Sequence, residues 1–321
     1  MQSITTDPMQ LLQATRPADA VAVGVIGIGV MGMPMATRLQ DVGFTVVVRD
    51  ILRNAEDAAQ ALGMATAPSP AALAAQVTLT LVMVVDAAQI ETVLFGGSGL
   101  VAGIDKAAPR AGKPPTVMLC STIAPADAAG FAQRLAAHGI AMLEAPVSGG
   151  PARALGGKLT MMLAGDSTAL ERAEPVTAAL ADRRFIIGAN PGEAAKVKLV
   201  NNLLAGTNLV AAAEAMALGK RLGLEGRALF DVINQSSGAS WIFNDRMARM
   251  LADDFAPRAA LTLLAKDMQL ATALAQSVGQ PTPLGDASLT MFHRAIDAIG
   301  GAFDDLAVIA AYDDSFPLSG R

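Results

Sequence analysis

Cysteine is nearly absent from this chain. Cys120 is the only one in 321 residues. That excludes an internal disulfide and fits a reducing, cytoplasmic compartment. Histidine is almost as scarce, with only His138 and His293. Neither stands near Cys120 in sequence, so the paired Cys/His spacing of a metal site is missing and no metal is expected. Cys120 therefore reads as a core residue rather than a nucleophile. Aromatic residues contribute 4%, against 52% hydrophobic residues in all. The apolar mass is thus mostly Ala, Val, Leu, Ile and Met, as in closely packed helices. The net charge is −5 with no basic block, so the electrostatic footprint of a nucleic-acid binder is lacking. The first twenty residues hold Asp7, Pro8, Arg16, Pro17 and Asp19 and no apolar signal-peptide core. Residues 1–20 are read as a flexible arm. The longest weakly charged stretch, Leu199 to Gly219, carries Asn201, Asn202, Asn208 and Glu214. A buried helix explains it better than a membrane span.

What is present begins with a glycine fingerprint. The apolar run Val21 to Ile26 leads into Gly27-Ile28-Gly29-Val30-Met31-Gly32, spaced G-x-G-x-x-G. A helical pattern, Pro34 to Gln40, follows, and a second apolar run, Thr45 to Val48, ends at Asp50. Gly27 permits a tight strand-to-helix turn, Gly29 lets backbone approach a pyrophosphate, and Gly32 lets the helix pack against the strand. The phosphates would sit on the free N–H groups and positive end of that helix. A carboxylate at the end of the second strand accepts the ribose hydroxyls and repels a 2′-phosphate, which favours NAD over NADP. Two other readings stand beside this one. Asp50 also precedes the helical pattern Leu52 to Leu62, where it would serve as a cap. Arg49 and Arg53 flank it, and either could reach a 2′-phosphate.

Up to about residue 187, strand-like runs alternate with helical patterns. The later strands are Leu79 to Val84, Val117 to Cys120, Ala141 to Leu143, Thr160 to Leu163 and Phe185 to Ile187. This alternation predicts an α/β fold: a Rossmann-type doubly wound parallel sheet over 21–188. Beyond Gly188 no strand pattern appears. One long helix, Glu193 to Leu222, leads further helices into an all-α domain over 189–321. The start of that helix is expected where the two domains meet, and interdomain clefts commonly bind small molecules.

Three polar groups stand out. Lys198, Asn201 and Asn202 share one face of the long helix, with Asn208 further along, while Lys196 points nearly the opposite way. A lysine beside two amides on an apolar helix suggests a polar pocket, although a surface lysine with capping amides has the same spacing. The loop Glu144 to Pro151 contains Ser148-Gly149-Gly150, whose successive N–H groups would form an anion nest suited to a carboxylate. A plain loop is the alternative. Cys120-Ser121-Thr122-Ile123-Ala124-Pro125 places hydroxyls at a strand end, where they either meet a ligand or cap the helix after Pro125.

Together these stretches resemble the β-hydroxyacid dehydrogenase family. That family includes 3-hydroxyisobutyrate dehydrogenase, tartronate semialdehyde reductase and the threonate-type four-carbon sugar-acid dehydrogenases. The motifs that carry the resemblance are GIGVMGMPMA from Gly27, STIAP from Ser121, APVSGGPARALGGKLT from Ala145, GEAAKVKLVNN from Gly192 and AKDMQLA from Ala265. SGASWIFN, from Ser237 to Asn244, is more similar to the threonate-type branch than to the isobutyrate branch. The resemblance implies an NAD-dependent dehydrogenase of a small hydroxy-carboxylic acid. It implies Lys198 as catalytic general base with Asn202 beside it, and Ser148, Gly149, Gly150 and Asn202 at the substrate. The cofactor contacts it implies are Gly27, Ile28, Gly29, Val30, Met31, Gly32, Asp50, Val84, Val85 and Thr122, with Lys266 closing over the nicotinamide end. A homodimer or homotetramer is implied too, with no nucleic acid or membrane as partner. Reduction of a small semialdehyde such as tartronate semialdehyde is the alternative activity. An imine reductase-like enzyme on the same fold is another, although such enzymes typically lack the lysine. Pocket size is expected to depend on how Trp241, Phe243 and Met161 approach the nicotinamide.

Overall fold

The structure is a computed structural model that describes residues 22–106 and 115–313. The N-terminal arm expected over residues 1–20 lies outside the described residues. The chain divides into two compact units between Lys198 and Leu199.

The first unit is built on a nine-stranded sheet. β1 (Ala22–Ile26), β2 (Thr45–Arg49), β3 (Ala65–Thr66), β4 (Leu79–Val82), β5 (Thr116–Leu119) and β6 (Ala141–Glu144) all run parallel, in the order β3-β2-β1-β4-β5-β6. That is the doubly wound order, and it puts every parallel strand's carboxyl end on one edge. The helices between them are α1 (Gly32–Asp41), α2 (Arg53–Ala61), α3 (Pro70–Ala74), α4 (Ala87–Phe95), α5 (Leu100–Lys106) and α6 (Pro125–Ala137). Residues 87–105 match a membrane span in length and hydropathy, but they form two separate helices, α4 and α5.

The parallel pattern does not continue throughout. After β6 come β7 (Val147–Ser148), α7 (Gly150–Leu155) and β8 (Leu159–Ala164). β8 pairs antiparallel with both β6 and β7. The connection is too short for a right-handed crossover, and a turn through Gly157, at φ +65°, sends the chain back. α8 (Ser167–Leu180) then makes a true crossover to β9 (Ala181–Gly188), which runs parallel to β8. The sheet is thus parallel over six strands and mixed at one end.

Period-two alternation explains the core. Val23 and Val25 of β1, Leu81 of β4 and Met118 of β5 join Met35, Leu39, Met161 and Leu180 on one face. Their neighbours Ile26, Val82, Val117 and Leu119 join Leu73, Ile90, Leu94, Phe131 and Leu135 on the other. Both faces are covered, so the strands carry near-continuous apolar runs. Short polar caps mark where helices begin. The Ser69 hydroxyl accepts the Ala72 N–H at 3.1 Å, and the Asp86 carboxylate accepts the Gln89 N–H at 2.8 Å.

α9 (Glu193–Arg221) begins in the first unit and runs on into the second. It is followed by α10 (Gly226–Asn234), α11 (Trp241–Leu251), α12 (Leu261–Ser277), α13 (Pro283–Ile299) and a 3₁₀ turn, Asp305–Ala311. Leu209, Met216, Phe230, Phe243, Met247, Met268 and Phe292 form the core of the second unit, with Phe230 and Phe243 stacked at 5.5 Å. A side chain at Gly206 would place its Cβ 2.4 Å from Met268 Sδ, so glycine there admits α12 close against α9. Arg246 grips Asp305 through two contacts, Nε to Oδ1 at 2.6 Å and Nη2 to Oδ2 at 2.9 Å. Arg249, one turn on, donates to Asp304 at 3.1 Å. These pairs fasten the 3₁₀ turn to α11.

Candidate active site

The loops after β1, β2, β4, β5 and β6 lie along the carboxyl edge of the sheet, and backbone bonds knit their first residues together. Gly27 N–H donates to Arg49 O at 2.9 Å, Met83 N–H to Ile26 O at 2.9 Å, Cys120 N–H to Val82 O at 2.9 Å and Ala145 N–H to Leu119 O at 2.8 Å. The three glycines of the fingerprint have different jobs. Gly27 stands at φ +86°, a conformation that side chains resist. A Cβ on Gly32 would lie 1.9 Å from Gly27 O, whereas a Cβ on Gly29 would meet nothing within 4 Å. Two glycines are consumed by packing, and the middle one fronts open space. α1 starts without a side-chain cap, so its positive end is not neutralised by a capping side chain. An open glycine before an uncapped helix fits the pyrophosphate of a dinucleotide. Val30 and Val85 are half exposed.

Asp50 lies at the end of β2, and its carboxylate binds the fingerprint directly. Oδ2 accepts the Ile28 N–H at 2.8 Å and Oδ1 accepts the Leu52 N–H at 2.9 Å. The N-cap position of α2 is Leu52, so Asp50 is not its capping residue. Both flanking arginines are engaged. Arg49 Nη1 donates to Glu56 Oε1 at 2.6 Å, and Arg53 Nε to Asp57 Oδ1 at 3.0 Å.

After β4 and β5, the Ser121 hydroxyl accepts the Val84 N–H at 2.9 Å, tying the two loops together. The N-cap of α6 is Ala124, with no side-chain cap bond, so neither Ser121 nor Thr122 caps that helix. Thr122 is half-buried. Cys120 is buried, and burial pushes its thiol up to about 12. It stays protonated and inert near neutrality.

Glu144, the last residue of β6, is 2% exposed, and its Oε2 accepts the N–H groups of Gly192 at 2.7 Å and Ala194 at 3.3 Å. Burial raises its pKa, and the helix N–H bonds pull in the opposite sense. The carboxylate therefore anchors the first turn of α9. Ser148 closes β7, and Gly149 and Gly150 follow at φ +133° and +77°. Two consecutive positive angles make this a glycine loop by necessity.

Further along α9, Lys196 is exposed, whereas Lys198 is 8% and Asn202 7% exposed. Asn201, expected on the same face, points largely to solvent. Its Nδ2 still donates to Asn202 Oδ1 at 3.1 Å. Asn202 Nδ2 donates to Asp267 Oδ2 at 2.6 Å, and Lys266 Nζ lies 2.9 Å from Asp267 Oδ1. One buried carboxylate on α12 thus brings together two residues singled out from sequence. Asp267 itself was not singled out, although it stands inside AKDMQLA. Glu144 and Glu56 were also passed over, since their partners are set by the fold. Phe243 is 3% and Met161 0% exposed, so both are core residues; Trp241 is 58% exposed.

Residues 22–188 match the family model described as the NAD binding domain of 6-phosphogluconate dehydrogenase. Residues 192–312 match the one described as NAD-binding of NADP-dependent 3-hydroxyisobutyrate dehydrogenase. The chain belongs to the β-hydroxyacid dehydrogenase family. It is 41% identical to an L-threonate dehydrogenase of Cupriavidus necator, over 90% of this chain and 95% of that protein. It is 38% identical to an L-threonate dehydrogenase of Escherichia coli, over 90% and 94% respectively. A crystal structure of a 3-hydroxyisobutyrate dehydrogenase from Salmonella typhimurium superposes with a TM-score of 0.82 at 36% identity. It covers 90% of this chain and 99% of its own. The enzyme is therefore an NAD-dependent hydroxyacid dehydrogenase, an oxidoreductase that acts on the hydroxyl group of a small acid.

Proposed function

We propose that this dehydrogenase oxidises a four-carbon sugar acid of the L-threonate type, with NAD preferred over NADP and Lys198 as general base. The observation that carries the reading is the buried Lys198, one helical turn before a buried Asn202 that Asp267 holds in place. Bound NAD would supply the hydride acceptor, held by the loop from Gly27 to Gly32, Asp50, Val84, Val85 and Thr122, with Lys266 at the nicotinamide end. Lys198 Nζ takes the proton of the substrate hydroxyl. Ser148, Gly149 and Gly150 hold the substrate carboxylate through N–H groups and a hydroxyl. Asn202 orients the substrate with the amide hydrogen and lone pair left over after Nδ2 donates to Asp267 and Oδ1 accepts from Asn201. Positioned proton transfer of this kind is worth about 10²–10⁴-fold.

The residues from 21 to 188 would form the dinucleotide domain, and those from 189 to 321 the substrate and oligomerisation domain. We place the enzyme in the cytoplasm as a homodimer or homotetramer, in keeping with its single, buried cysteine. The likeness of SGASWIFN and the L-threonate dehydrogenase relatives favour threonate over 3-hydroxyisobutyrate.

The test is NADH formation, followed at 340 nm, with L-threonate, 3-hydroxyisobutyrate, L-serine and glycerate as donors. L-threonate should give the highest kcat/KM, and Lys198→Ala should remove turnover while NADH still binds. Faster oxidation of another acid would overturn the substrate assignment. Loss of turnover in Lys196→Ala but not in Lys198→Ala would overturn the assignment of the base.

A further inference from the structure

We infer that Glu56 is a specificity-determining residue for the dinucleotide, acting by holding Arg49 away from the position a 2′-phosphate would take. The inference rests on the reading of the Gly27–Gly32 loop and Asp50 as the NAD site. Arg49 is the last residue of β2 and directly precedes Asp50, the carboxylate that faces the adenosine ribose in that reading. A guanidinium there is the group that recognises a ribose 2′-phosphate, because its planar fork matches phosphate oxygens. By position alone, this chain carries both the residue that rejects NADP and the residue that would accept it. The fold resolves the conflict in favour of rejection.

Glu56 lies in the first turn of α2 and is 8% exposed. Its Oε1 accepts Arg49 Nη1 at 2.6 Å and also the Asp50 backbone N–H at 3.3 Å. The same oxygen therefore holds the arginine side chain and fixes the backbone of the ribose-facing aspartate. Arg49 is itself largely covered, with its side chain 24% exposed. The charges point the same way. Asp50 and Glu56 together outweigh Arg49, leaving this corner negative toward an incoming phosphate. Neutralising Glu56 would release a guanidinium and remove one negative charge in a single change. Arg53, the other flanking cation, is paired with Asp57 on the exposed face of α2 and is left unaltered.

The test is to titrate the wild type, Glu56→Gln, Arg49→Leu and the double variant with NADH and NADPH, following nicotinamide fluorescence. The wild type should bind NADH more tightly. Glu56→Gln should improve NADPH affinity relative to NADH by about tenfold, a difference of about 1.4 kcal/mol. The double variant should lose that gain, and Arg49→Leu alone should leave NADPH affinity unchanged. The gain should also shrink as salt is raised. An unchanged affinity ratio in folded Glu56→Gln would overturn the inference, and so would a gain that persists in the double variant. If Glu56→Gln fails to fold, Arg49→Leu decides, since weaker NADPH binding there would show that Arg49 already reaches the phosphate. A wild type that binds neither dinucleotide sinks the reading of the loop itself. A wild type that binds NADH but prefers NADPH sinks only the specificity argument.

Discussion

Gly29 and Gly32 are three residues apart, and they separate what the fingerprint does for folding from what it does for binding. A methyl group on Gly32 meets the Gly27 carbonyl at 1.9 Å, a contact backbone cannot relieve cheaply. Gly32→Ala should therefore lower stability by about 1–3 kcal/mol, read as a drop in denaturant midpoint. Gly29→Ala finds open space and should keep the wild-type melting temperature. It should bind NADH about tenfold more weakly, because in the proposed reading the methyl group enters the space of the pyrophosphate. A Gly29→Ala protein with unchanged NADH affinity would show that the dinucleotide approaches elsewhere. The separate roles of the two glycines were legible in the motif, and the structure adds the Gly27 carbonyl as the atom that leaves Gly32 no room for a side chain.

Among the elements, α9 has the most to reveal. Its length and apolar character could be read directly from residues Glu193 to Leu222. What fastens it could not be, because Glu144 and Gly192 are 48 residues apart, and Asn202 and Asp267 are 65 apart. Spacing within a helix predicts which residues share a face, not which distant carboxylate arrives there. β8 makes the same point: its apolar run is plain, but its antiparallel direction comes from the Gly157 turn. β3 and β7, at two residues each, are too short for any period to register.

The anchor of α9 carries a pH signature. Burial raises the Glu144 pKa, so the folded state holds that proton more tightly than the unfolded chain does. The resulting stability is fully present below the ordinary carboxylate value, about 4.3. It is lost as pH rises through the raised value. Glu144→Gln has no such proton. Urea unfolding from pH 4 toward neutrality should therefore show the variant gaining stability relative to wild type. A constant difference across that range would count against a raised pKa. Further along α9 lies Asn202, and Asp267→Ala should lower kcat more than it raises KM, as that amide loses its acceptor. A melting temperature near that of wild type would separate this from simple unfolding.

At the scale of the whole molecule, the two units have separate cores: one sheet filled on both faces, and one helical cluster around Phe292. The sheet-bearing unit carries the glycine loop. NADH at a hundred times its Kd should stabilise that unit by about 2.7 kcal/mol, measured by calorimetry with and without ligand. In Gly29→Ala the same NADH concentration should give a much smaller shift. The change from strands to helices was legible because the βαβ alternation stops after Gly188, whereas the compact units divide further on, between Lys198 and Leu199. The ion pairs that secure the end of the helical unit, Arg246 with Asp305 and Arg249 with Asp304, were not legible, since charged residues at those positions read equally well as solvated surface.

Trp241 is the only tryptophan in the chain and is more than half exposed at the start of α11. With a single indole there is a single ultraviolet emitter of that kind, and it belongs to the helical unit alone. Its emission wavelength and its quenching by acrylamide would report on that unit without any label. Nicotinamide fluorescence of added NADH would report separately on cofactor binding. The helical unit and the bound cofactor thus carry distinct optical signals, and the order in which they respond to a substrate can be timed.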